Sequence, residues 1–317
     1  MREYILRRLL ILPLIMLGVS FLTFLTFRVI PGDVVDITCG WQCPEESRQA
    51  LREQYGLDDP LFVQYWDWLE GIPEGDLGHS FRGNLAVTTE LERRMPITIQ
   101  LMIMTIIFSA GLGIPLGMLS AVRPGSVFDG VSRFSSILWL SVPAFYSGTL
   151  VIIFGALWLG WVPPQFKTGY VSPFEDPLIN MEQFLLPALI LAFGSAGVII
   201  RVTRSSMLEV MRNDYIRTAW SKGLRERSVV WRHALKNALI PVVTILGLEA
   251  GGLIGGAVII ESIFGLNGVG VYVVQSVISR ELIVVQSLAL VFAATYVLIN
   301  LFVDVLYAWL DPRIRYA

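Results

Sequence analysis

The residues able to do covalent chemistry are few in this chain, and their spacing supports no conventional catalytic site. The two histidines, His79 and His233, are far apart in the sequence, whereas a zinc site or a histidine-based triad needs such groups close together. Ser195 lies in Gly194-Ser-Ala-Gly197, but no histidine falls in its predicted helix to activate it, and small residues there favour close helix packing. No glycine-rich phosphate loop ending in Lys-Ser or Lys-Thr is present. We therefore expect no catalytic residues, no metal site and no ATPase activity in this chain.

Two cysteines, Cys39 and Cys43, flank Gly-Trp-Gln. Their spacing resembles a redox or metal-binding pair, yet no second pair is present to complete a zinc site. Because the charge pattern described below places this segment outside the cytoplasm, in an oxidising environment, a short-range disulfide is the simpler interpretation. The alternative is two free thiols.

The elements that hold these residues are apolar helices. The 317 residues are 54% hydrophobic and only 16% charged, with a mean hydropathy of +0.63, whereas soluble domains carry roughly 25% charged residues. About 20 apolar residues are needed for a helix to cross about 30 Å of hydrocarbon. The sequence therefore predicts an all-α membrane protein with a bundle of six transmembrane helices. The predicted spans are approximately Leu9 to Phe27, Ile97 to Ala121, Phe134 to Leu159, Phe184 to Ile200, Leu239 to Ile260 and Leu282 to Tyr307.

The first predicted span resembles a signal peptide in one respect, because Arg2, Arg7 and Arg8 precede it. Its apolar run is longer than that of a typical signal peptide, and no small-x-small cleavage site follows before Pro31. A retained membrane anchor is therefore favoured over a cleaved signal. The fifth span is rich in glycine and is the one least expected to be a single straight helix.

Lysine and arginine orient the predicted bundle. Sixteen of the 24 basic residues lie on the side of the N-terminus, nine of them between Arg201 and Lys236, so the positive-inside rule places both termini in the cytoplasm. We expect residues 1–30 to form the cytoplasmic N-terminus and first span. Residues 31–96 then form an extracytoplasmic loop of short helices, and residues 97–317 form a five-helix core with an inner loop at 201–237.

The inner loop carries the most informative pattern. Between Met207 and Gly223, four residues at four-residue steps, Met207, Met211, Tyr215 and Ala219, form one apolar stripe on a predicted helix, and Gly223 is expected to end that helix. Two interpretations remain open. The stripe lies on anionic lipid as an amphipathic helix, or it enters a groove on a cytoplasmic partner as a docking helix.

Several motifs occur in a fixed order along the whole chain. They are Arg28-Val-Ile-Pro-Gly-Asp33, Gly56-Leu-Asp-Asp-Pro60, Gly75-Asp-Leu-Gly78 with Ser80, Arg204-Ser-Ser-Met-Leu-Glu-Val210, Asp214-Tyr-Ile-Arg-Thr-Ala-Trp-Ser-Lys-Gly223, His233-Ala-Leu-Lys-Asn-Ala-Leu-Ile-Pro241, Glu261-Ser-Ile-Phe264 and Asp311-Pro-Arg-Ile-Arg315. Together with the hydropathy pattern, they make the sequence resemble the permease subunits of dipeptide, oligopeptide and nickel ABC importers.

This resemblance implies half of a type I importer in the cytoplasmic (inner) membrane. A second homologous permease would complete the pathway, and an extracytoplasmic solute-binding protein would dock on the outer loops. Two ATPase subunits, identical or different, would bind ATP and Mg²⁺ and contact a cytoplasmic coupling helix in the inner loop. This chain itself would hold no cofactor and bind no nucleic acid. The resemblance assigns contact with the ATPase to Met211, Asp214, Tyr215, Arg217, Thr218, Ala219, Trp220 and Gly223.

The chain departs from the wider importer family within this motif. The family pattern has Glu-Ala-Ala where this sequence has Arg217, Thr218 and Ala219, so an ion pair from that glutamate to the ATPase does not carry over. Trp220 is bulkier or less polar than the residue expected at its position, and we expect it to influence the choice of ATPase partner.

Glu249 is an ionisable residue within the fifth predicted span. A charge at bilayer depth costs about 2.5–3.5 kcal/mol on insertion scales, so Glu249 is expected either to face a wet cavity or to be protonated. It is a candidate for lining the translocation pathway and meeting a cationic or polar part of the solute. The alternative is a purely structural hydrogen bond across a helix interface.

The solute is predicted to be a dipeptide or oligopeptide, with oligosaccharides, nickel chelates and glutathione-like compounds as alternatives for the same architecture. A channel, an ion-coupled carrier or a membrane scaffold would also give six spans. The channel and the carrier do not explain the docking-helix motif, and a secondary carrier would usually show related halves or paired broken helices. The scaffold remains the alternative in which the chain acts only through protein contacts.

Overall fold

The computed structural model describes residues 2–29, 35, 44–54, 56–81 and 85–310. Within those ranges the chain is helical, and the one β-type pairing is an isolated bridge between His79 and Ala86. The prediction of an all-α protein is therefore confirmed. Cys39 and Cys43, whose pairing the sequence predicts, lie outside the described residues.

The helices differ widely in length, from single turns to more than thirty residues. They are α1 (Arg2–Val29), α2 (Glu45–Gln54), α3 (Leu61–Gly71, followed by a 3₁₀ turn at Ile72–Glu74), α4 (Val87–Val122), α5 (Val127–Ser141), α6 (Ala144–Leu159), α7 (Gln165–Thr168), α8 (Pro177–Val210), α9 (Asp214–Ser221), α10 (Glu226–Ser228, followed by a π-helical segment at Val229–Ala234), α11 (Leu235–Gly256), α12 (Val258–Phe264), α13 (Val269–Ile278) and α14 (Leu282–Leu310).

Among the described residues, four helical stretches are long and apolar enough to cross a membrane: α4, α8, Glu226–Gly255 and Leu282–Leu306. Two bent pairs, α5 with α6 and α12 with α13, raise the count to six if each pair is one span. For α1, whose side chains are described only between residues 10 and 26, the described apolar stretch is Leu10–Thr26. Membrane-spanning helices are thus confirmed, and the described residues give four to six of them where the sequence predicted six.

The third predicted span, Phe134 to Leu159, is not one helix. α5 and α6 meet at an angle of 89°, and the break lies at Val142 and Pro143. Val142 is extended, with φ −96° and ψ 117°, because a following proline disfavours helical backbone at the preceding residue. Proline also cannot donate the backbone hydrogen bond that a continuous helix needs. Pro143 lies inside the third predicted span, but a proline alone does not predict a bend of this size.

The fifth predicted span, Leu239 to Ile260, is divided between two helices. α11 ends at Gly256, α12 begins at Val258, and Gly265 ends α12 in the left-handed conformation with φ 71°. The glycine-rich segment is therefore not one straight helix. The next pair, α12 and α13, is bent by 96° and was not predicted as an apolar element.

The chain forms two compact units. Of the described residues, the first contains 2–4, 98–266 and 298–310, and the second contains those within 5–97 and 267–297. In the first unit, α8 packs closely on α4 and α5 through glycines. A Cβ added to Gly197 would lie 2.7 Å from the Ser136 carbonyl oxygen, and one added to Gly117 would lie 2.6 Å from the Ile200 carbonyl oxygen. The small residues around Ser195 thus allow close helix packing.

Candidate functional site

The inner loop forms a short helix that is separated from the long helix before it. α8 ends at Val210, a turn follows, and Asn213 is extended with φ −71° and ψ 148° before α9 begins at Asp214. The prediction of one continuous helix from Met207 to Gly223 is therefore wrong. A continuous helix would need helical backbone at Asn213, and Asn at this position instead favours the start of a new helix.

The end of α9 is formed as predicted. The helix ends at Ser221, and Gly223 adopts φ 73°, a conformation that residues with a Cβ rarely adopt. The Gly223 N–H donates to the Trp220 carbonyl at 2.9 Å, and the Leu224 N–H donates to the Ala219 carbonyl at 3.4 Å. The sequence prediction that Gly223 ends the helix is confirmed.

The apolar face of α9 is turned into this chain's own core. Ile216 is 0% exposed and Ala219 is 7% exposed. Both belong to a buried cluster, which we call the anchor cluster, that consists of Met118, Ala121, Met207, Ile216, Ala219, Val229, Val230, Ala234, Leu235 and Ala238. The predicted docking stripe therefore needs correction, because Met207 and Ala219 contact residues of the same chain. Ile216 was missed because the break after α8 changes the register of the buried face.

The opposite face of α9 is exposed and mixed in character. Tyr215 and Trp220 are 42% and 43% exposed, and Thr218 is exposed beside them. Asp214 and Arg217 form an ion pair at 3.4 Å with side chains 96% and 74% exposed, which contributes little to stability. An exposed face on a helix held from behind is well suited to contact another protein.

Two further residues of the predicted set lie at the edges of this face. Met211 is partly buried and packs against the anchor cluster, so it holds the turn before α9. Tyr215 receives a hydrogen bond from the side-chain amide of Asn237 on α11, at 2.7 Å. Sequence reasoning missed Asn237, although it lies within the His233-to-Pro241 motif.

A buried ion pair supports the end of α8 that leads to this loop. Asp129, 1% exposed, accepts hydrogen bonds from Arg204 Nε at 2.7 Å and from Nη2 at 3.0 Å. The Ser120 hydroxyl donates at 2.6 Å and the Gly125 N–H at 2.9 Å. These contacts join α4, α5 and α8 through one carboxylate. The sequence contained a signal for this site, because Arg204 opens the inner-loop motif and Asp129 is an acidic residue among apolar ones.

The two hydrogen bonds from Arg204 to Asp129 fix the relative orientation of the two side chains. A guanidinium that donates two parallel hydrogen bonds fixes both the distance and the orientation of its partner. Arg204 precedes Met207, an anchor-cluster residue, by three residues, so the pair and the cluster hold the same end of α8. The Asp129–Arg204 pair and the anchor cluster therefore join the end of α8 that leads to α9 to both α4 and α5.

The second predicted site, Glu249, lies on α11 and faces α8. The Ser195 hydroxyl donates to Glu249 Oε2 at 2.8 Å, so the structure supplies the cross-helix hydrogen bond of the structural alternative. Glu249 is only partly buried, and it also lines a cavity of about 450 Å³ with Val198, Ile245, Leu248, Gly252 and Leu253. Both roles of Glu249 are compatible with this position.

No group of three or more His, Cys, Asp or Glu side chains that could hold a metal ion occurs among the residues the structure describes.

The sequence matches two protein families, and the matched residues together cover nearly the whole chain. Residues 113–316 match the binding-protein-dependent transport system inner membrane component, and residues 1–102 match the N-terminal region of such membrane components.

Similar proteins include three whose alignments cover essentially their full length. The dipeptide transport system permease protein DppB of Alkalihalophilus pseudofirmus is 38% identical over 100% of both chains. The oligopeptide transport system permease protein AppB of Bacillus subtilis is also 38% identical over 100% of both. The dipeptide permease DppB of Escherichia coli is 37% identical over 100% of this chain and 99% of its own.

A solved structure shows the same fold. The MetNI methionine ABC transporter, in an inward-facing conformation, matches with a TM-score of 0.55 and 19% identity over 70% of this chain and 96% of the other. The family match, the full-length relatives and this shared fold agree with the resemblance found in the motifs. The chain belongs to the binding-protein-dependent transport system inner membrane component family and is a transmembrane permease subunit of an ABC importer.

Proposed function

We propose that this chain forms one half of a translocation pathway for dipeptides and oligopeptides. The support is that relatives named for dipeptide and oligopeptide transport align with the chain along its whole length. A second homologous permease completes the pathway, a solute-binding protein delivers the peptide, and two ATPase subunits, identical or different, bind ATP and Mg²⁺.

The exposed face of α9 is the surface we assign to the ATPase contact. The observation that carries this proposal is the division of α9 into two faces, with Ile216 and Ala219 in the anchor cluster and Tyr215, Arg217, Thr218 and Trp220 exposed. The anchored face makes α9 rigid with respect to α4 and α8, so a push from the ATPase moves helices rather than a loop. Asp214 lies at the start of this face, and Met211 and Gly223 fix its two ends.

A cytoplasmic position for α9 follows from the distribution of basic residues. Nine of the 24 Lys and Arg residues fall between Arg201 and Lys236, and cytoplasmic loops carry such an excess. The same argument places both termini in the cytoplasm, with residues 31–96 on the outer side.

The conversion of ATP hydrolysis into transport is then a two-state change. Closure of the ATPase dimer favours one arrangement of the permease pair, and opening favours the other, because α9 binds the ATPase differently in the two states. Glu249 is proposed to line the pathway, where its carboxylate attracts a peptide ammonium group. Its hydrogen bond from Ser195 keeps that carboxylate pointed across the α8–α11 interface.

The experiment is reconstitution of the complete transporter. The permease pair, its ATPases and the solute-binding protein are assembled in proteoliposomes, and uptake of labelled dipeptides and oligopeptides is measured with and without ATP. We expect uptake that requires both ATP and the binding protein. Oligosaccharides, nickel chelates and glutathione serve as competing solutes. Uptake of one of these with no uptake of peptide contradicts the proposed solute. ATP-independent flux, or assembly without ATPase subunits, supports a channel or scaffold instead.

The proposed Cys39–Cys43 disulfide has a separate test. Mass spectrometry after alkylation without reductant is expected to show neither thiol labelled in freshly isolated membranes. Labelling of both thiols contradicts the disulfide.

A further inference from the structure

Helix α3 packs directly on the apolar part of α1. The Tyr65 hydroxyl lies 2.8 Å from the Ser20 hydroxyl and donates to the Leu17 carbonyl at 3.4 Å. Its ring contacts Phe21 and Phe24 edge-on, with centroids at 5.7 and 5.3 Å. All of these partners lie inside the apolar stretch Leu10–Thr26, so Tyr65 is buried against a membrane-type surface.

The same helix also contacts α14. The Trp68 indole N–H donates to the Ser287 hydroxyl at 3.3 Å, and that hydroxyl donates in turn to the Leu77 carbonyl at 2.6 Å. Ser287 is fully buried and lies inside the apolar stretch Leu282–Leu306. Polar atoms of α3 are therefore matched to hydroxyls that are available within two apolar helices.

The contacts of α3 with α1 and with α14 lie at similar depths, measured from the end of each apolar helix. A helix rises 1.5 Å per residue, so Ser20 lies about 10 Å inside Phe27, the last apolar residue of α1 before Arg28. By the same rise, Ser287 lies about 7.5 Å inside the Leu282 end of the α14 stretch. Helices that lie in a membrane interface bury their apolar face about 5–10 Å into the boundary between headgroups and acyl chains. The position of α3, measured from two independent neighbours, falls in that range.

The face of α3 that points away from α1 and α14 carries exposed aromatic rings. Phe62 and Trp66 are 73% and 54% exposed and stack on each other with centroids 6.4 Å apart. Asp67 is exposed on the adjoining flank, about 100° round the helix from Trp66, whereas the exposed Glu70 follows Trp66 by one turn. Aromatic rings on the outer face of a helix that packs on membrane-type helices are typical of the membrane–water interface.

We propose that α3 is an interfacial membrane helix whose Phe62–Trp66 stack is immersed in lipid. The acyl chains contact the two rings, and the Asp67 carboxylate reaches the water above. The exposed surface of α1 is also apolar, since Leu14 and Leu22 are 70% and 63% exposed.

A docking solute-binding protein is the competing occupant of this surface. A soluble partner approaches from water and would have to descend about 8 Å below the ends of two apolar helices to cover both rings. Lipid is already present at that depth. The inference concerns placement of α3 in the membrane and holds whatever solute the transporter carries.

The test is the accessibility of spin labels in the complete transporter reconstituted in proteoliposomes. Cys39→Ser and Cys43→Ser remove the native thiols, and single labels are attached to Phe62→Cys, Trp66→Cys or Asp67→Cys. Collision with oxygen, which concentrates in lipid, is compared with collision with a water-soluble nickel chelate. ATP-driven uptake by each labelled variant serves as the check that it is folded and assembled.

We expect labels at positions 62 and 66 to collide at least several-fold more with oxygen than with the nickel chelate. The label at position 67 serves as the matched control on the same helix and should show the opposite ratio. High nickel accessibility at 62 and 66 overturns the proposal in favour of a surface open to water. Low accessibility to both reagents overturns it in favour of a protein partner, and adding the solute-binding protein shows whether that partner is responsible.

Discussion

Two short amphipathic helices in this protein bury opposite kinds of side chain. α9, with eight residues, turns Ile216 and Ala219 inward and leaves charged and polar groups outside. α3, with eleven residues, turns the hydrogen-bonding groups of Tyr65 and Trp68 inward and leaves Phe62 exposed. The buried side chains of α9 are apolar, whereas those of α3 carry hydrogen-bonding groups and leave the stacked Phe62 and Trp66 rings exposed.

The medium around each helix explains the difference. Next to water or another protein, burial of apolar side chains in the chain's own core is favourable, so α9 is held by its apolar face. Next to lipid, exposed rings lose nothing, but a hydroxyl or indole N–H without a partner costs free energy. In α3 the polar groups therefore turn towards the hydroxyls of Ser20 and Ser287.

The largest effect is expected from a charge on the buried face of α9. Ala219→Arg forces a guanidinium into the anchor cluster, and an unpaired buried charge costs several kcal/mol. We expect the amount of folded permease in membranes to fall about tenfold or more, since 1.4 kcal/mol is a factor of ten. Fluorescence-detected size-exclusion chromatography measures it.

Thr218→Arg is the matched control, one residue away on the exposed face. Here the folded amount should stay within about twofold of the unchanged protein, while retention of ATPase subunits falls. Equal loss of folded protein in the two variants would contradict the division of α9 into an anchored face and a docking face.

The next effect comes from the ion pair that holds the α8 end of this region. Asp129→Asn removes the charge that faces Arg204 while keeping the size of the side chain. The Arg204 side chain is 22% exposed, so we expect the lower part of the range for breaking a buried pair, about 3 kcal/mol in the free energy of unfolding. Denaturation of the purified complex in nanodiscs measures it.

Two further variants sharpen that result. Arg133 lies 3.6 Å from the same carboxylate but is 59% exposed, so Arg133→Gln should change the free energy of unfolding by no more than about 1 kcal/mol. The double variant Asp129→Asn with Arg204→Gln should be less destabilised than the sum of the single variants. Additive losses would show that the pair does not act as a unit.

The smallest effect on stability is expected at the Ser195–Glu249 contact. Ser195→Ala removes the donor and should cost about 0.6 kcal/mol, the average for a hydrogen bond between membrane helices. Glu249→Gln keeps an acceptor for Ser195 and should cost no more. If Glu249 lines the pathway, Glu249→Gln lowers uptake of cationic peptides relative to neutral ones, whereas Ser195→Ala leaves that ratio unchanged. An unchanged ratio in both variants supports a purely structural role.

The sequence predicted the long apolar helices well, because hydropathy over about 20 residues is a local property. It also predicted the end of α9, since Gly223 has the conformational freedom that the left-handed residue requires. The break at Val142–Pro143 was only half predicted. A proline in a membrane helix is compatible with a straight helix, a kink or a 90° corner, and the surrounding helices decide among them.

The buried face of α9 could not be predicted from the sequence, for a different reason. The four-residue stripe assumed one helix from Met207 onward, and the extended Asn213 changes the register of every residue after it. Asp129 and Ser195 are long-range partners, 75 and 54 residues from Arg204 and Glu249. A single sequence shows that a buried charge needs a partner, but not which residue supplies it.

Photo-cross-linking from two positions tests the central claim most directly. A benzophenone amino acid replaces Thr218 on α9 in one variant and Trp66 on α3 in another, in cells that contain the whole transporter. We predict that position 218 cross-links to an ATPase subunit and that position 66 gives no cross-link to it. The absence of an ATPase cross-link from position 218, in a variant that still drives ATP-dependent uptake, would contradict the assignment of α9 as the helix through which this permease is coupled to ATP hydrolysis.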